Sequence, residues 1–203
     1  MVREAGLAPD PDSRQRVLAA AAELVGRDGL TRLSMDELAA AAGLSRASLY
    51  RLFPGKAALF RELVRVYSPM QTVVRIVRDS GDRPPQEVIP RLALEAAAVL
   101  RGRMGIVRSL LFEMLNASPD SEEAVDWAFS EGVMTVAGYV AEQMRLRRLR
   151  AMHPVVALTS LVGPVLFHLL TRPLLERELA LDLPLEETVE QLAQGWLRSM
   201  EPR

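Results

Sequence analysis

The segment from Ser34 to Lys56, SMDELAAAAGLSRASLYRLFPGK, constrains the fold of this 203-residue chain more than any other part of it. It carries the signals of two short helices joined by a tight turn. Ser34 is a good N-cap residue for the first helix, and Glu37, three positions later, completes a capping box. Gly43 is expected to take a positive φ angle where the chain leaves that helix, because glycine adopts this conformation at low cost. The segment therefore predicts a helix-turn-helix arrangement.

The second helix of the segment is predicted to begin after its N-cap, Ser45, and to end before Pro54, which has no backbone N–H. Its apolar residues Leu49, Leu52 and Phe53 are spaced to pack inward. The opposite side then presents a guanidinium, hydroxyls, a methyl group and a phenol, the groups that contact base edges and phosphates in DNA complexes. The predicted DNA-binding residues are Ser34, Ser45, Arg46, Ala47, Ser48, Tyr50, Arg51 and Lys56.

The charge distribution favours contact with DNA at one end of the protein. Residues 44–65 contain five basic residues and one acidic residue, whereas the chain after position 78 contains thirteen basic and eighteen acidic residues. The overall net charge of −1 argues against a protein that coats nucleic acid without selectivity. Lys56, the only lysine, opens the next helix, where a cation and backbone N–H groups both favour phosphate.

Residues 29–60, GLTRLSMDELAAAAGLSRASLYRLFPGKAALF, resemble the DNA-binding segment of the TetR (tetracycline-repressor-like) transcriptional regulators. The matching elements are Gly29–Thr31, Ala39, Gly43-Leu44-Ser45, Leu49-Tyr50, Phe53 and Lys56-x-x-Leu59-Phe60. The resemblance extends over residues 12–66. It implies an all-α fold, in which an N-terminal three-helix helix-turn-helix head joins a C-terminal helical ligand-binding and dimerisation body.

Three regions follow from this organisation. Residues 1–11 are expected to be a flexible N-terminal arm, residues 12–66 the helix-turn-helix DNA-binding domain, and residues 67–203 a helical effector-binding and dimerisation domain. Apolar periodicity predicts helices along the whole chain, at 12–28, 56–79 with a kink at Pro69, 86–102, 104–117, 121–150, 153–173 and 185–201, in addition to the two short helices above.

The last helix carries an apolar stripe that must be buried against something. In proteins of the resembled family, the last two long helices pack against the same pair from a second subunit, so the resemblance implies a homodimer. A symmetric reader of two half-sites also favours a dimer. The alternative is that the stripe packs within its own chain. The predicted interface residues are Leu161, Val165, Val189, Leu192, Trp196 and Met200.

The resemblance also implies a pocket for a small effector among the middle helices. A large apolar or amphipathic molecule fits better than a sugar or a nucleotide, because the chain has no glycine-rich phosphate loop. Each candidate residue is also compatible with a simple role in the core. The candidate effector-binding residues are Arg108, Phe112, Asn116, Trp127, Tyr139, Gln143 and His168.

Several other classes of function are disfavoured. The absence of cysteine excludes disulfides, thiol catalysis and cysteine-ligated zinc, and no metal or other cofactor is expected. Two histidines without a nucleophile–base spacing argue against an enzyme.

No secretory signal pattern opens the chain, so a cytoplasmic location is expected. Residues 151–171 lack charged side chains and are long enough to span a bilayer, but a doubly buried helix accounts for them and no membrane partner is expected.

The leading interpretation is a sequence-specific DNA-binding transcriptional regulator. It would be a repressor that a small effector releases from a palindromic double-stranded DNA operator, with half-sites about 34–36 Å apart. Such an effector acts by favouring a head spacing that does not match the DNA. The alternative is a constitutive or partner-controlled DNA-binding factor that has no small-molecule ligand.

Overall fold

The computed structural model describes residues 11–116, 132–180 and 182–202, and these residues form helices and turns and no β-strand. The all-α fold class expected from the sequence is therefore confirmed for them. Their helices are α1 (Pro11–Asp28), α2 (Met35–Ala41), α3 (Arg46–Leu52), α4 (Lys56–Tyr67), α5 (Met70–Arg78), α6 (Pro85–Arg101), α7 (Met104–Asn116), α8 (Met134–Arg145), α9 (Pro154–Glu178) and α10 (Leu185–Ser199).

The helices fall into two compact units. The first unit comprises the described residues of Met1–Tyr67 and Gly105–Asp126, and the second those of Ser68–Met104 and Trp127–Arg203. The arm predicted at 1–11 lies outside the described residues, apart from the first residue of α1.

In the first unit, α1 packs against α2 and α4, and α2 packs against α3. The apolar periodicity of these helices places one side of each in a common core, as expected for amphipathic helices. The side chains of this core that are fully buried are Val17, Ala21, Val25, Leu38, Leu49, Leu59, Phe60 and Leu63.

The turn between α2 and α3 has the geometry that the sequence predicts. Gly43 has a φ angle of +66°. Its N–H donates to the carbonyl of Ala40 at 3.1 Å, and the N–H of Leu44 donates to the carbonyl of Ala39 at 2.9 Å. These two bonds form a Schellman motif, which satisfies the last carbonyls of α2 and redirects the chain into α3.

Helix α7 belongs to the first unit, although the sequence analysis placed residues 104–117 in the body. The hydroxyl of Ser109 donates to the carbonyl of Val25 at 2.7 Å. A Cβ atom at Gly105 would lie only 3.1 Å from the carbonyl oxygen of Gly26. Because Gly26 and Gly105 have no side chains, α1 and α7 can cross in close contact. The apolar periodicity of α1 and α7 does not predict this contact.

The second unit is a bundle of α5, α6, α8, α9 and α10. Helix α6 packs against α5, α9 and α10, whereas α8 packs against α5 and α9, and α9 also against α10. One continuous apolar core fills the space between these helices. Its most deeply buried side chains are Ile76, Ile89, Ala97, Val140, Leu149, Ala157, Val189, Ala193 and Met200.

Two helix boundaries differ from the predicted ones. The helix predicted at 121–150 is observed as α8, Met134–Arg145, while the first part of the predicted range, 121–131, lies outside the described residues. Helix α8 ends at Arg145 because the chain turns at Arg147, where φ is +56°. This turn buries Leu149 and brings the N–H of Arg150 within 2.7 Å of the carbonyl of Met200. The helix predicted at 56–79 is broken at Pro69 into α4 and α5 rather than kinked.

The helix predicted at 153–173 continues as α9 to Glu178, with Pro164 and Pro173 inside it. Arg172 holds the last part of this helix in place, because its guanidinium donates to Glu176 at 2.7 Å and to the carbonyl of Leu183 at 2.6 Å. The extension therefore depends on contacts with the following loop.

We expect Gly43→Ala to lower the free energy of unfolding of the full chain by about 1–2 kcal/mol. A Cβ atom at this position would meet nothing within 4 Å, so the loss comes from the positive φ angle alone. Urea unfolding followed by circular dichroism measures it. Gly43→Asn is the matched control, since asparagine tolerates this conformation better and should retain more stability. Equal losses for alanine and asparagine would contradict the backbone explanation.

Candidate nucleic-acid interface

Helix α3 presents one apolar and one polar side. Leu49, and Phe53 directly after the helix, are almost completely buried, with 0% and 1% of their surface exposed. Arg46, Tyr50 and Arg51 are exposed on the other side. Because the buried side is fixed by the core of the first unit, the polar side has one defined orientation relative to α2.

A row of hydrogen bonds orders the polar side of α3. The Ser45 hydroxyl oxygen caps the helix by accepting from the backbone N–H of Ser48 at 3.2 Å, and the two hydroxyls are bonded at 2.9 Å. Arg51 then donates to the Ser48 hydroxyl at 3.0 Å. These residues are spaced by three positions, so the row runs along the helix surface and directs the Arg51 guanidinium along it.

Arg46 connects α3 with α2. Its Nε atom lies 3.2 Å from Asp36 Oδ1, and its Nη1 donates to Asp36 Oδ2 at 3.3 Å. The guanidinium carbon also lies 5.6 Å from the centre of the Tyr50 ring. The Arg46 side chain is therefore held by an ion pair on one side and by a cation–π contact on the other.

Lys56 contacts the loop that precedes α2. Its Nζ atom donates to the carbonyl of Thr31 at 3.3 Å. The hydroxyl of Thr31 donates to Oε1 of Glu113, a carboxylate on α7 that is only 3% exposed, at 3.1 Å. Thr31 thus ties the start of α4 and the helix α7 to the same loop.

An arginine of α1 and a buried carboxylate of α4 support the C-terminal end of α3. The guanidinium carbon of Arg14, on α1, lies 4.8 Å from the centre of the Phe53 ring, and the same side chain pairs with Glu62 at 3.5 Å. Hydrogen bonding from Arg65 lowers the pKa of the Glu62 carboxyl, with a smaller contribution from Arg14, so this carboxyl stays ionised although it is buried. The ring that ends α3 is therefore fixed by α1 and α4 together.

The structure places all eight predicted DNA-binding residues in the first unit, on or beside α2, α3 and the start of α4. Ser48 and Lys56 are half-buried, and the other six are exposed. Two further residues, Asp36 and Thr31, contact Arg46 and Lys56 and are not among the eight predicted ones. Asp36 could have been found from its place in the first turn of α2, where an acidic side chain is exposed near a basic helix start.

The candidate effector residues do not form one cluster within either unit. Arg108, Phe112 and Asn116 follow each other at four-residue spacing on the exposed side of α7, in the first unit. Trp127 lies outside the described residues. The three others belong to the second unit, where Tyr139 and Gln143 are buried one turn apart on α8 and His168 is half-buried on α9.

The hydroxyl of Tyr139 is buried and finds no hydrogen-bond partner within the part of the chain that the structure describes. Burial raises the pKa of Tyr139 to about 12, so the phenol is a neutral donor at physiological pH. Burial and the nearby Arg172 lower the pKa of His168, whose Nε2 lies 3.2 Å from Nη1 of Arg172.

The residues predicted at the dimer interface require a correction, because they pack within their own chain. Five of the six are at most 8% exposed, and Leu192 is half-buried against the same core. Trp196 Nε1 donates to the carbonyl of Ala157 and to the Ser160 hydroxyl, both at 3.0 Å on α9. The apolar stripe of the last helix is thus buried within its own chain, which was the alternative to burial by a second subunit.

The opposite side of α9 is apolar but exposed. Val156, Phe167 and Leu174 lie exposed on this side, and Val155 and Val162 are exposed at the edge of the buried side. Among the described residues, α9 is also the one helix whose length and composition would allow it to cross a membrane. That is weak evidence for a membrane span, because a core helix of a soluble protein meets the same criterion.

No group of three or more His, Asp or Glu side chains in the described ranges could hold a metal ion.

The arrangement of α1–α4 is that of a helix-turn-helix protein, and this segment matches a known family model. Residues 17–63 match the family model of the bacterial regulatory proteins of the tetR family. The match covers the helix-turn-helix segment, from within α1 to within α4.

Among curated proteins, the chain is similar to the nucleoid occlusion factor SlmA of two strains of Aliivibrio fischeri. The identity is 34% over 109 residues, which is 51% of this chain and 56% of the relative. The chain thus spans about half the length of the curated relatives it matches.

Solved structures share the fold over almost the whole chain. The fatty acid degradation regulator FadR of Bacillus halodurans has a TM-score of 0.75 and 14% identity, over 97% of this chain and 100% of that one. FadR of Bacillus subtilis, solved with stearoyl-CoA, has a TM-score of 0.74 and 12% identity, over 92% and 99%. NalD of Pseudomonas aeruginosa, the secondary repressor of the MexAB-OprM multidrug efflux pump, has a TM-score of 0.65 and 23% identity, over 93% and 95%.

Proposed function

We propose that this protein is a sequence-specific DNA-binding transcriptional regulator that works in the cytoplasm as a homodimer. It binds a palindromic double-stranded DNA operator through α3 and acts as a repressor, which a small apolar or amphipathic effector releases. The observation that carries the proposal is the polar side of α3, which is held in one orientation by the buried Leu49 and Phe53.

The chemistry of this surface suits a DNA groove. Arg46 and Arg51 supply guanidinium groups for base edges or phosphates, and Tyr50 supplies a phenol. Lys56 adds a cation at the start of α4 for a phosphate contact. A short helix that exposes such groups at its start and buries its other side is the usual reading element of a helix-turn-helix protein.

Selection of bound sequences from random duplex DNA, at two salt concentrations, tests the proposal. We expect an enriched palindrome whose half-sites are about one helical turn apart, or a longer spacing if two dimers bind. Weak salt-dependent binding to all sequences, without enrichment, would contradict a sequence-specific regulator.

Single substitutions distinguish the roles of the contacts. Lys56→Ala is expected to weaken binding to all duplexes and to lower the salt slope by about one, because one phosphate contact is lost. Arg46→Ala is expected to relax the base preference at one position of each half-site. Filter-binding titrations against the selected duplex and its point variants measure both effects.

Arg101→Gln is the charge control for these titrations. Arg101 lies in the second unit and pairs with Glu186 at 2.6 Å, so its loss changes the net charge equally without touching α3. Binding that stays unchanged in both test variants, or that falls equally in all three, would contradict these contacts.

The exposed apolar side of α9 supports the homodimer. The buried residues Leu158, Leu161 and Val165 face the core of the second unit. Helical spacing places Val156, Phe167 and Leu174 on the other side, where these three large apolar side chains remain exposed. We therefore propose this side of α9, in place of the residues predicted from the sequence, as the surface that a second copy covers.

Phe167→Asp is expected to convert the dimer to a monomer, since it places a charge in an apolar interface. Sedimentation velocity in detergent-free buffer measures the change in molar mass. Leu179→Asp is the matched control, because Leu179 is 72% exposed but follows the last residue of α9, and it should leave the dimer intact. A dimeric Phe167→Asp variant would place the interface elsewhere.

The second unit supports an effector with an apolar body and a polar group. The buried hydroxyl of Tyr139 can donate to such a group, and the buried Gln143 lies one turn away. One fold relative is a fatty acid degradation regulator, and another, a transcriptional regulator, was solved with stearoyl-CoA. An acyl compound is consistent with the same chemistry.

Organic extraction and mass spectrometry of the purified protein test for an effector. We expect a lipid-like compound that co-purifies with the wild type and is reduced in Tyr139→Phe, whose thermal stability should not fall. Tyr67→Phe is the control, because the Tyr67 hydroxyl donates to the carbonyl of Leu18 at 3.3 Å and lies in the first unit. A chain that carries no compound would contradict the effector.

The alternative function is a DNA-binding factor controlled by a partner or by no ligand. The similarity to the nucleoid occlusion factor SlmA supports it, because that name describes a role other than a response to a small molecule. An enriched palindrome together with an empty protein in the extraction experiment would favour this alternative.

A further inference from the structure

An acidic side chain lies within the surface proposed to contact DNA. Asp36, on α2, faces Arg46, the first residue of α3, across the turn between the two helices. Nη1 of Arg46 donates to one carboxylate oxygen at 3.3 Å, and Nε lies 3.2 Å from the other. Both side chains are more than 60% exposed, so the pair lies on the surface and not in the core.

This geometry fixes how Arg46 meets a ligand. A guanidinium has five N–H donors in a rigid plane. Asp36 accepts from Nη1 and lies close to Nε, and Nη2 is not part of the pair. The terminal edge formed by Nη1 and Nη2 has the two-donor spacing that matches guanine O6 and N7. The Tyr50 ring, 5.6 Å from the guanidinium carbon, limits movement out of this position.

The carboxylate also weakens contact with unspecific DNA. Sequence-independent affinity comes from cations that replace the counterions of phosphates. Asp36 neutralises one such cation and repels any phosphate that approaches this part of α2 and α3. Its presence therefore opposes binding to every duplex, except where a correctly placed base accepts from the terminal edge of Arg46.

We propose that Asp36 is a specificity-determining positioning residue, which orients Arg46 towards a guanine and suppresses its use as a general phosphate contact. The inference rests on the proposed function, since it assumes that α3 reads DNA. Asp36 acts through Arg46 and contacts no base itself.

The pair has little importance for folding. An ion pair between two exposed side chains contributes little to stability. The crossing of α2 and α3 depends instead on the buried Leu38 and Leu49 and on the turn at Gly43. Asp36→Asn should therefore leave the thermal unfolding of the full chain nearly unchanged while it alters DNA recognition.

The experiment compares wild type, Asp36→Asn, Arg46→Ala, the double variant and Glu37→Gln. The probes are the duplex that wild type enriches most from a random library, its single-base variants, and a shuffled duplex of the same composition. Glu37→Gln is the matched control, because Glu37 is adjacent, loses the same charge and contacts Arg27 at 3.5 Å instead of Arg46.

We expect Asp36→Asn to lower the affinity ratio of selected to shuffled duplex about five- to tenfold, part of the discrimination that one bidentate arginine–base contact provides. The loss should fall on the same base position that Arg46→Ala relaxes. In the Arg46→Ala background, Asp36→Asn should leave that ratio unchanged, and Glu37→Gln should keep the wild-type ratio.

An Asp36→Asn variant that behaves like Glu37→Gln, or that changes the ratio equally with and without Arg46, would overturn the inference and leave the proposed function intact. A wild type that enriches no sequence would overturn both.

Discussion

A two-turn helix such as α3 is not stable by itself in water, so its burial against the first unit holds the whole proposed DNA-binding surface in place. Leu49 and Phe53 provide this burial, and Arg14 covers the ring of Phe53. The left-handed turn at Gly43 sets the direction in which α3 leaves α2. Each exposed side chain of α3 therefore has its position because of residues that never contact the ligand.

The parts of the fold that the sequence predicts are those with local causes. Ser34 and Ser45 cap the helices that follow them, and Gly43 turns the chain, because these effects depend on a few neighbouring residues. Of the three residues predicted to pack inward, Leu49 and Phe53 are buried and Leu52 is half-buried. Phe53 is extended, with φ of −137°, as a residue before Pro54 tends to be.

The parts that the sequence did not predict depend on contacts between distant residues. Periodicity shows that Val189 and Trp196 must be buried, but it cannot tell whether the same chain or a second copy buries them. The close approach of Gly26 and Gly105, which brings α7 to the first unit, involves two residues that leave no periodic signal. The pair of Asp36 and Arg46 joins two helices across a turn, so the sequence indicates an exposed acidic side chain at Asp36 but not its partner.

The cations around α3 share one property that affects recognition. Arg46 is held by Asp36, Arg51 by the hydroxyl of Ser48, and Lys56 by the carbonyl of Thr31. Ordering of these long side chains therefore precedes any contact with DNA, which lowers the entropic cost of binding. The neutral acceptors of Arg51 and Lys56 can be exchanged for phosphate oxygens at small cost. In the inference above, Asp36 instead stays paired with Arg46 while this side chain contacts a base. Affinity and sequence preference would then depend on different cations of the same surface.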